Sequence, residues 1–203
     1  MTGGDDWLGR LRSNLQRDPG IPDGELTQSA VLAAFEPGPG GEPQLILTER
    51  AGHLRLHAGE VAFPGGKCDP EDQDHWQTAL REAEEEVALD PAAVQRLGVL
   101  PNLVTRFGME VTPCIGLCET PQELVANEDE LASIFRAPLT WFAESNNLEI
   151  MPMEYRGQVR KVPRYEYDGY VIWGITAAIL VRLANLACGT SLQLEHYWKG
   201  ESR

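Results

Sequence analysis

The chain has 203 residues, enough for one well-buried domain with extensions, and its hydrophobic fraction of 42% fits a globular protein in water. A formal net charge of −14 argues against non-specific nucleic-acid binding and against docking on anionic membranes, so an anionic substrate would need a local cluster of bases or a metal. The opening MTGGDDW has neither the positive n-region nor the apolar h-region of a signal peptide, which leaves the cytoplasm as the default expectation.

In chain order, residues 7–15 read as a short amphipathic helix. Residues 30–35 and 45–48 read as strands joined by the Pro/Gly-rich loop EPGPGGEP. A short β-type run at 60–63 leads into Pro64, which stiffens the chain, and into Gly65 and Gly66, which permit a turn that side chains with a Cβ resist. A helix follows at about 75–87. Further strands are expected near 95–100, 111–117, 139–142, 148–151 and 165–172, and a helix from Asn127 or Glu128 through Phe135, ended before Pro138. The apolar run 171–181 is too short to span a bilayer and reads as a core strand and helix, the last helix covering about 176–186. No repeat or composition break divides the chain. The order predicts an α/β protein, one domain over 1–203 with a short N-terminal helical extension and a C-terminal helix, whose mixed sheet carries helices on its faces.

The segment FPGGKCDPEDQDHWQTALREAEEEV holds the densest chemistry. At helical spacing Glu82, Glu85 and Glu86 share one face, while Trp76, Leu80, Ala83 and Val87 line the opposite one. Like charges one turn apart cost an isolated helix about 0.2–0.5 kcal/mol per pair. Three on one face call for a compensating cation, and oxygen ligands suit hard ions such as Mg2+ or Mn2+. The competing reading is a solvated acidic helix with a buried apolar stripe. Arg81, four residues before Glu85 and next to Glu82, can orient a carboxylate by a charge-assisted hydrogen bond. Just upstream, Arg50, Arg55 and His57 supply cationic character in an acidic protein and are candidate phosphate anchors; the bland alternative is that Arg50 ends a strand and pairs with a surface acid. His53, His75 and His196 show no ligand spacing. Cys68, Cys114, Cys118 and Cys188 lack C-x2-C spacing and read as reduced thiols, with Cys114 and Cys118 on one face of a strand.

This segment resembles the Nudix hydrolase signature G-x5-E-x7-R-E-U-x-E-E-x-G-U, where U is aliphatic. Gly66 matches the first glycine, and Arg81 through Glu86 match the catalytic helix. Asp72 stands in place of the first Glu, one extra residue precedes Arg81, and Ala88 replaces the last Gly. Ile46-Leu47-Thr48-Glu49-Arg50-Ala51, then Arg55, Gly59 and Phe63-Pro64-Gly65-Gly66, is similar to the motif of the coenzyme A pyrophosphatase subfamily, with Ile46 for Leu as the single departure. Val111-Thr112-Pro113, the Asn127–Glu130 stretch and Trp173-Gly174 extend the likeness over roughly residues 31–184.

The resemblance implies the α/β/α Nudix sandwich. It also implies a Mg2+- or Mn2+-dependent cleavage of the diphosphate of coenzyme A or its thioesters, giving adenosine 3′,5′-bisphosphate and 4′-phosphopantetheine or its acyl form. Glu82, Glu85 and Glu86 would be ligands, one of them also able to act as base, with Arg81 orienting them. Arg50, Arg55, His57, Gly65 and Gly66 would face the substrate, Arg50 and Arg55 being placed to read the 3′-phosphate. Glu130, within NEDEL, would be a distal carboxylate or a helix-start residue. The alternatives are another nucleoside diphosphate-linked substrate, such as ADP-ribose, NADH or a capped RNA end, and a non-catalytic nucleotide-binding module. A small-molecule partner is expected, with no nucleic acid and no membrane; the oligomeric state stays open, a homodimer among the options.

Overall fold

The computed structural model describes residues 6–22, 24, 26–54, 57–105, 107–155 and 157–194. The element order is α1 (Trp7–Asn14), β1 (Thr27–Pro37), β2 (Pro43–Arg50), β3 (Val61–Ala62), β4 (Gly65–Lys67), α2 (His75–Val87), β5 (Val94–Val99), β6 (Leu103–Val104), β7 (Met109–Cys118), β8 (Leu131–Pro138), α3 (Leu139–Ala143), β9 (Glu149–Tyr155), β10 (Gln158–Tyr167), β11 (Tyr170–Trp173) and α4 (Gly174–Cys188). They form two compact units, one spanning Leu15–Pro138 and one built from the described parts of Met1–Asn14 and Leu139–Arg203.

In the Leu15–Pro138 unit, β1 is the strand on which the others register. Its near-continuous apolar run Ala30 to Phe35 is what a strand covered on both faces requires. It pairs parallel with β7, from Thr27 opposite Met109 to Phe35 opposite Leu117. Along its other edge it pairs antiparallel with β4 near its start and with β2 near its end. The sheet runs β3-β2-β1-β7-β5, with β6 added to β7 and β8 to β2. One parallel pair among antiparallel ones makes it the mixed sheet expected. Ala30, Leu32 and Ala34 of β1, with Ile46 of β2, form a core cluster with Trp76, Ala79, Leu80, Ala83 and Val87 of α2. Cys114 and Cys118 lie in the same cluster, on one face of β7 as their spacing predicts. Burying large apolar side chains there contributes about 1.5–3 kcal/mol each, which holds α2 against the sheet.

The second unit contains the antiparallel sheet β11-β10-β9 and helices α1, α3 and α4. Helix α4 is apolar nearly all round and buried from Thr176 to Ala184 except at Arg182. Arg10 of α1 donates through Nε to the Ala187 carbonyl at 2.8 Å. Trp141 and Phe142 of α3 pack edge-on against Tyr167 and Tyr165 of β10, and the Tyr165 hydroxyl donates to the Phe142 carbonyl at 3.1 Å. Among the described residues no helix is long and apolar enough to cross a membrane.

Three sequence expectations are corrected. Residues 127–135 are a turn leading into strand β8, not a helix. The Asn127 side chain accepts from the Asp129 N–H at 3.2 Å, its carbonyl accepts from Glu130 and Leu131, and β8 then satisfies the edge of β2 from Gln44 to Arg50. Tertiary pairing outweighs weak local helix propensity here. Residues 139–142 lie in helix α3 rather than a strand, with Trp141 and Phe142 in the aromatic cluster. The run 165–172 is a hairpin, since Asp168 and Gly169 both take positive φ (49° and 85°) between β10 and β11, as a tight type I′ connection requires.

Candidate active site

Helix α2 begins where Asp74 accepts a hydrogen bond from the Gln77 N–H at 2.7 Å, a side-chain cap on an otherwise unsatisfied donor. It ends at Ala88, in the left-handed region at φ 54°, where the Ala88 and Leu89 N–H groups return to the Glu84 and Ala83 carbonyls. The apolar stripe fixes the rotation of the helix, so Glu82 and Glu86 are turned toward β4. Gly65 donates its N–H to Glu86 Oε2 at 3.3 Å, and a Cβ on Gly66 would lie 2.4 Å from the Glu82 carboxyl carbon. Gly66 therefore permits the approach of the Glu82 carboxylate to backbone, whereas the missing Cβ of Gly65 makes room for β1. Glu85 stays on the rim, its side chain 58% exposed and 3.4 Å from Arg81.

Arg81 spans the site. It donates to Glu82 at 3.0 Å, to the Lys67 carbonyl at 3.2 Å, and through Nε and Nη2 to the two oxygens of Asp72 at 3.4 and 3.1 Å. Asp72, whose side chain is 3% exposed, also accepts from the Asp69 N–H and the Thr78 hydroxyl. Burial pushes the Asp72 carboxyl up, but the bonds from Arg81, Asp69 and Thr78 outweigh it and hold the group below its ordinary value. Its sequence position marked it as a loop acid; that it clamps Arg81, and is itself held by Thr78, carried no local signal, because the Arg81 contact spans nine residues across the loop.

The carboxylates are electrostatically costly as they stand. Burial, then the charges of Glu82 and Glu130, push Glu86 up to about 7 against the opposing pull of the Gly65 N–H and Arg50. Burial also raises Glu82, Arg81 opposing it and Glu85 and Glu130 adding to it. Glu130 is thus brought to the same site. Its turn is clipped to the helix end by the Asn127 N–H on the Glu86 carbonyl at 2.9 Å, and to the end of β2 by the Ala51 N–H on the Glu130 carbonyl at 2.8 Å. The residue does not start a helix.

Arg50 ends β2 at a bulge and reaches Glu86 with Nη1 at 3.9 Å, while its Nε is buried without a hydrogen-bond partner. His57, at φ 58°, holds the Glu60 carboxylate at 2.7 Å through Nδ1 and stands edge-on to Phe107, a residue the sequence did not single out. Arg55 lies outside the described residues. His75, read as a non-ligand, is buried against Asp18 at 2.7 Å.

Among the described residues no three His, Cys, Asp or Glu side chains are gathered closely enough to hold a metal ion. The donor chemistry nevertheless suits a hard divalent cation. Desolvated carboxylate oxygens repel one another, with Arg50 at salt-bridge distance from Glu86.

The NUDIX domain family matches residues 26–153. The chain is similar to the uncharacterized Nudix hydrolase NudL of Yersinia enterocolitica, 43% identical over 169 residues, covering 83% of this chain and 86% of that one. Its counterpart in Escherichia coli K12 is 41% identical over 157 residues, covering 77% and 81%. In three dimensions the chain is similar to the Nudix hydrolase RenU of M. smegmatis, with a TM-score of 0.55 at 19% identity over 89% of this chain and 98% of that one. A likeness of that grade speaks for the fold, and the sequence relatives speak for descent. With the carboxylate helix, its arginine and the glycine strand assembled as above, the chain belongs to the Nudix family of hydrolases.

Proposed function

We propose that the chain is a divalent-metal-dependent pyrophosphohydrolase of coenzyme A or its thioesters, releasing adenosine 3′,5′-bisphosphate and 4′-phosphopantetheine or its acyl form. The observation that carries this reading is the approach of Arg50 to Glu86. It joins the 46–66 motif to the carboxylate helix, so the residues that resemble a coenzyme A signature border the reacting centre. In this reading residues 1–203 form one Nudix domain with its terminal helices, the family match itself covering residues 26–153.

In this reading Glu82, Glu85 and Glu86, with Glu130 as a distal carboxylate, would hold Mg2+ or Mn2+. Such an ion supplies neutralisation of the diphosphate and lowers the pKa of water. The protein's own groups set the geometry. Asp72 holds Arg81, and Arg81 holds Glu82 while drawing Glu85 inward. Gly65 orients Glu86. A carboxylate of this set takes the proton of the attacking water as one P–O bond of the diphosphate forms and the bridging P–O bond breaks. Arg50, 3.9 Å from Glu86, faces the diphosphate, which leaves Arg55 to read the 3′-phosphate.

The test is incubation of the purified protein with coenzyme A, acetyl-coenzyme A, ADP-ribose and NADH, with and without Mg2+ or Mn2+, and product identification by mass. Metal-dependent formation of adenosine 3′,5′-bisphosphate, with coenzyme A preferred, is expected. Preference for ADP-ribose or NADH would move the substrate to another nucleoside diphosphate, and no turnover on any of them would sink the enzymatic reading.

A further inference from the structure

The loop after β2 and the tip of the β6–β7 hairpin meet through one pair of rings. His57 and Phe107 lie with centroids 5.9 Å apart and planes at 82°. Both are presented outward, the Phe107 residue 64% exposed and the His57 side chain 43%. A large apolar ring so exposed at a hairpin tip costs burial energy that a polar turn residue would not forgo.

Neither ring is left to wander. The Phe107 turn is closed by the Thr105 N–H on the Met109 carbonyl at 2.7 Å, the Gly108 N–H on the Thr105 carbonyl at 3.0 Å, and the Met109 N–H on the Thr105 hydroxyl at 3.1 Å. His57 is held in the left-handed region at φ 58°, a conformation that costs a non-glycine residue free energy and concentrates at functional sites. Its Nδ1 is bound by Glu60 at 2.7 Å. The same loop is tied to the reacting centre: Glu60 donates its N–H to the His57 carbonyl, Arg50 to the Glu60 carbonyl and Gly59 to the Arg50 carbonyl, and the Arg50 side chain reaches Glu86.

We infer that Phe107 and His57 form the seat of the substrate's adenine base, Phe107 stacking on its face and His57 reading its edge. This rests on the coenzyme A reading above. Two perpendicular rings make a corner that suits a flat heteroaromatic ring, which gains stacking from one and edge contact from the other; an alkyl or pantetheine chain gains little from that shape. With the Glu60 carboxylate on Nδ1, Nε2 is the ring nitrogen left to meet the edge of the base. As an acceptor it takes the exocyclic amine of adenine, where guanine presents a carbonyl oxygen at the corresponding place. The pair therefore selects adenine over guanine.

The experiment is calorimetric binding of adenosine 3′,5′-bisphosphate, guanosine 3′,5′-bisphosphate and 4′-phosphopantetheine to the wild-type chain and to Phe107→Ala, Phe107→Trp and His57→Ala. Phe107→Ala should weaken both nucleotides by roughly five- to a hundredfold, the range for loss of one base–aromatic stack. Phe107→Trp should retain their binding. His57→Ala should remove the preference for adenosine over guanosine, and phosphopantetheine should bind all variants alike. Unchanged nucleotide binding in Phe107→Ala overturns the assignment. So does an equal loss on phosphopantetheine, or a wild type that does not bind adenosine 3′,5′-bisphosphate. Turnover separates this from the substrate reading. Coenzyme A hydrolysis with no Phe107 dependence removes only the base seat, whereas Phe107-dependent adenosine binding without coenzyme A hydrolysis removes only the coenzyme A assignment.

Discussion

Arg81 and Asp72 meet side on, Nη2 donating to one carboxylate oxygen at 3.1 Å and Nε to the other at 3.4 Å, so the guanidinium that orients Glu82 is itself aimed by a buried acid. Asp72→Asn keeps the shape but removes the charge, leaving Arg81 beside an amide that presents one acceptor where there were two. Loss of a hydrogen bond to a charged group costs about 1.5–3 kcal/mol. We expect kcat to fall at least tenfold with KM little changed and the thermal midpoint lowered. Steady-state kinetics and a melt on the same preparation check this, and an unchanged kcat would remove Asp72 from the positioning role.

Gly65 and Gly66 separate stability from activity. A Cβ at Gly65 would meet the Ala30 carbonyl oxygen at 2.3 Å and the Val31 Cα at 2.6 Å, both backbone. A Cβ at Gly66 would meet the Glu82 carboxylate, the mobile end of a side chain. Gly65→Ala should therefore destabilise the fold by about 1–3 kcal/mol through overpacking, whereas Gly66→Ala should leave stability nearly intact and displace Glu82, cutting turnover. Chemical denaturation beside activity gives the comparison, and the reverse pattern would contradict it.

Glu86 gives a pH dependence whose sign is set by its environment. The folded protein keeps the proton on this group up to about 7, whereas the ordinary value is 4.5, so between those values the native state binds more protons than the unfolded one. Stability from this group is present below about 4.5 and is lost as pH rises toward 7. At 1.36 kcal/mol per unit the loss is on the order of 3 kcal/mol. Glu86→Gln should remove that loss in the metal-free protein while lowering turnover by roughly a hundredfold or more. Urea denaturation of both proteins at pH 5 and pH 8 reads the difference. A wild type that gains stability relative to the variant on going to pH 8 would refute it.

Arg50 and Arg55 should divide the substrate between them. Arg50→Ala, next to Glu86, should reduce kcat/KM on coenzyme A and on 3′-dephospho-coenzyme A by similar factors, about ten- to a hundredfold for one charge-assisted bond. Arg55→Ala should reduce it on coenzyme A alone, and Lys should rescue only part, since it cannot make the bidentate contact. Equal losses from Arg55→Ala on both substrates would assign it to the loop or the diphosphate.

Ala88 occupies the left-handed cap of α2 at φ 54°, where a Cβ is strained. Ala88→Gly should relieve that strain at some cost in unfolded-chain entropy, for a net gain of up to about 1 kcal/mol. A thermal midpoint raised by a few degrees with unchanged kinetics is the expected result; a lowered midpoint would show that the strain is already relaxed.

What the sequence determined alone was local and periodic. The 3.6-residue spacing of Trp76, Leu80, Ala83 and Val87 set both the existence of α2 and its rotation, so the shared face of Glu82, Glu85 and Glu86, opposite the apolar stripe, followed without coordinates, whereas the burial of Glu86 against β4 did not. Apolar run length did the same for β1 and α4, and the αL demand at Ala88 was legible from the glycine it replaces. Where tertiary pairing competes with weak propensity the residues misled, pointing to a helix over 127–135 and a strand over 139–142. Residues 131–138 became a strand because β2 has an edge to satisfy, and residues 139–143 a helix with two of their rings in the aromatic cluster. The site divides along the same line. Residue types on one helix face reveal candidate ligands, and the resemblance offered Glu130 as a distal carboxylate, but nothing local tells that Arg50 stands over Glu86 or that His57 meets Phe107 fifty residues on. Those are contacts between distant chain segments, and only the folded sheet that brings their loops to one place creates them.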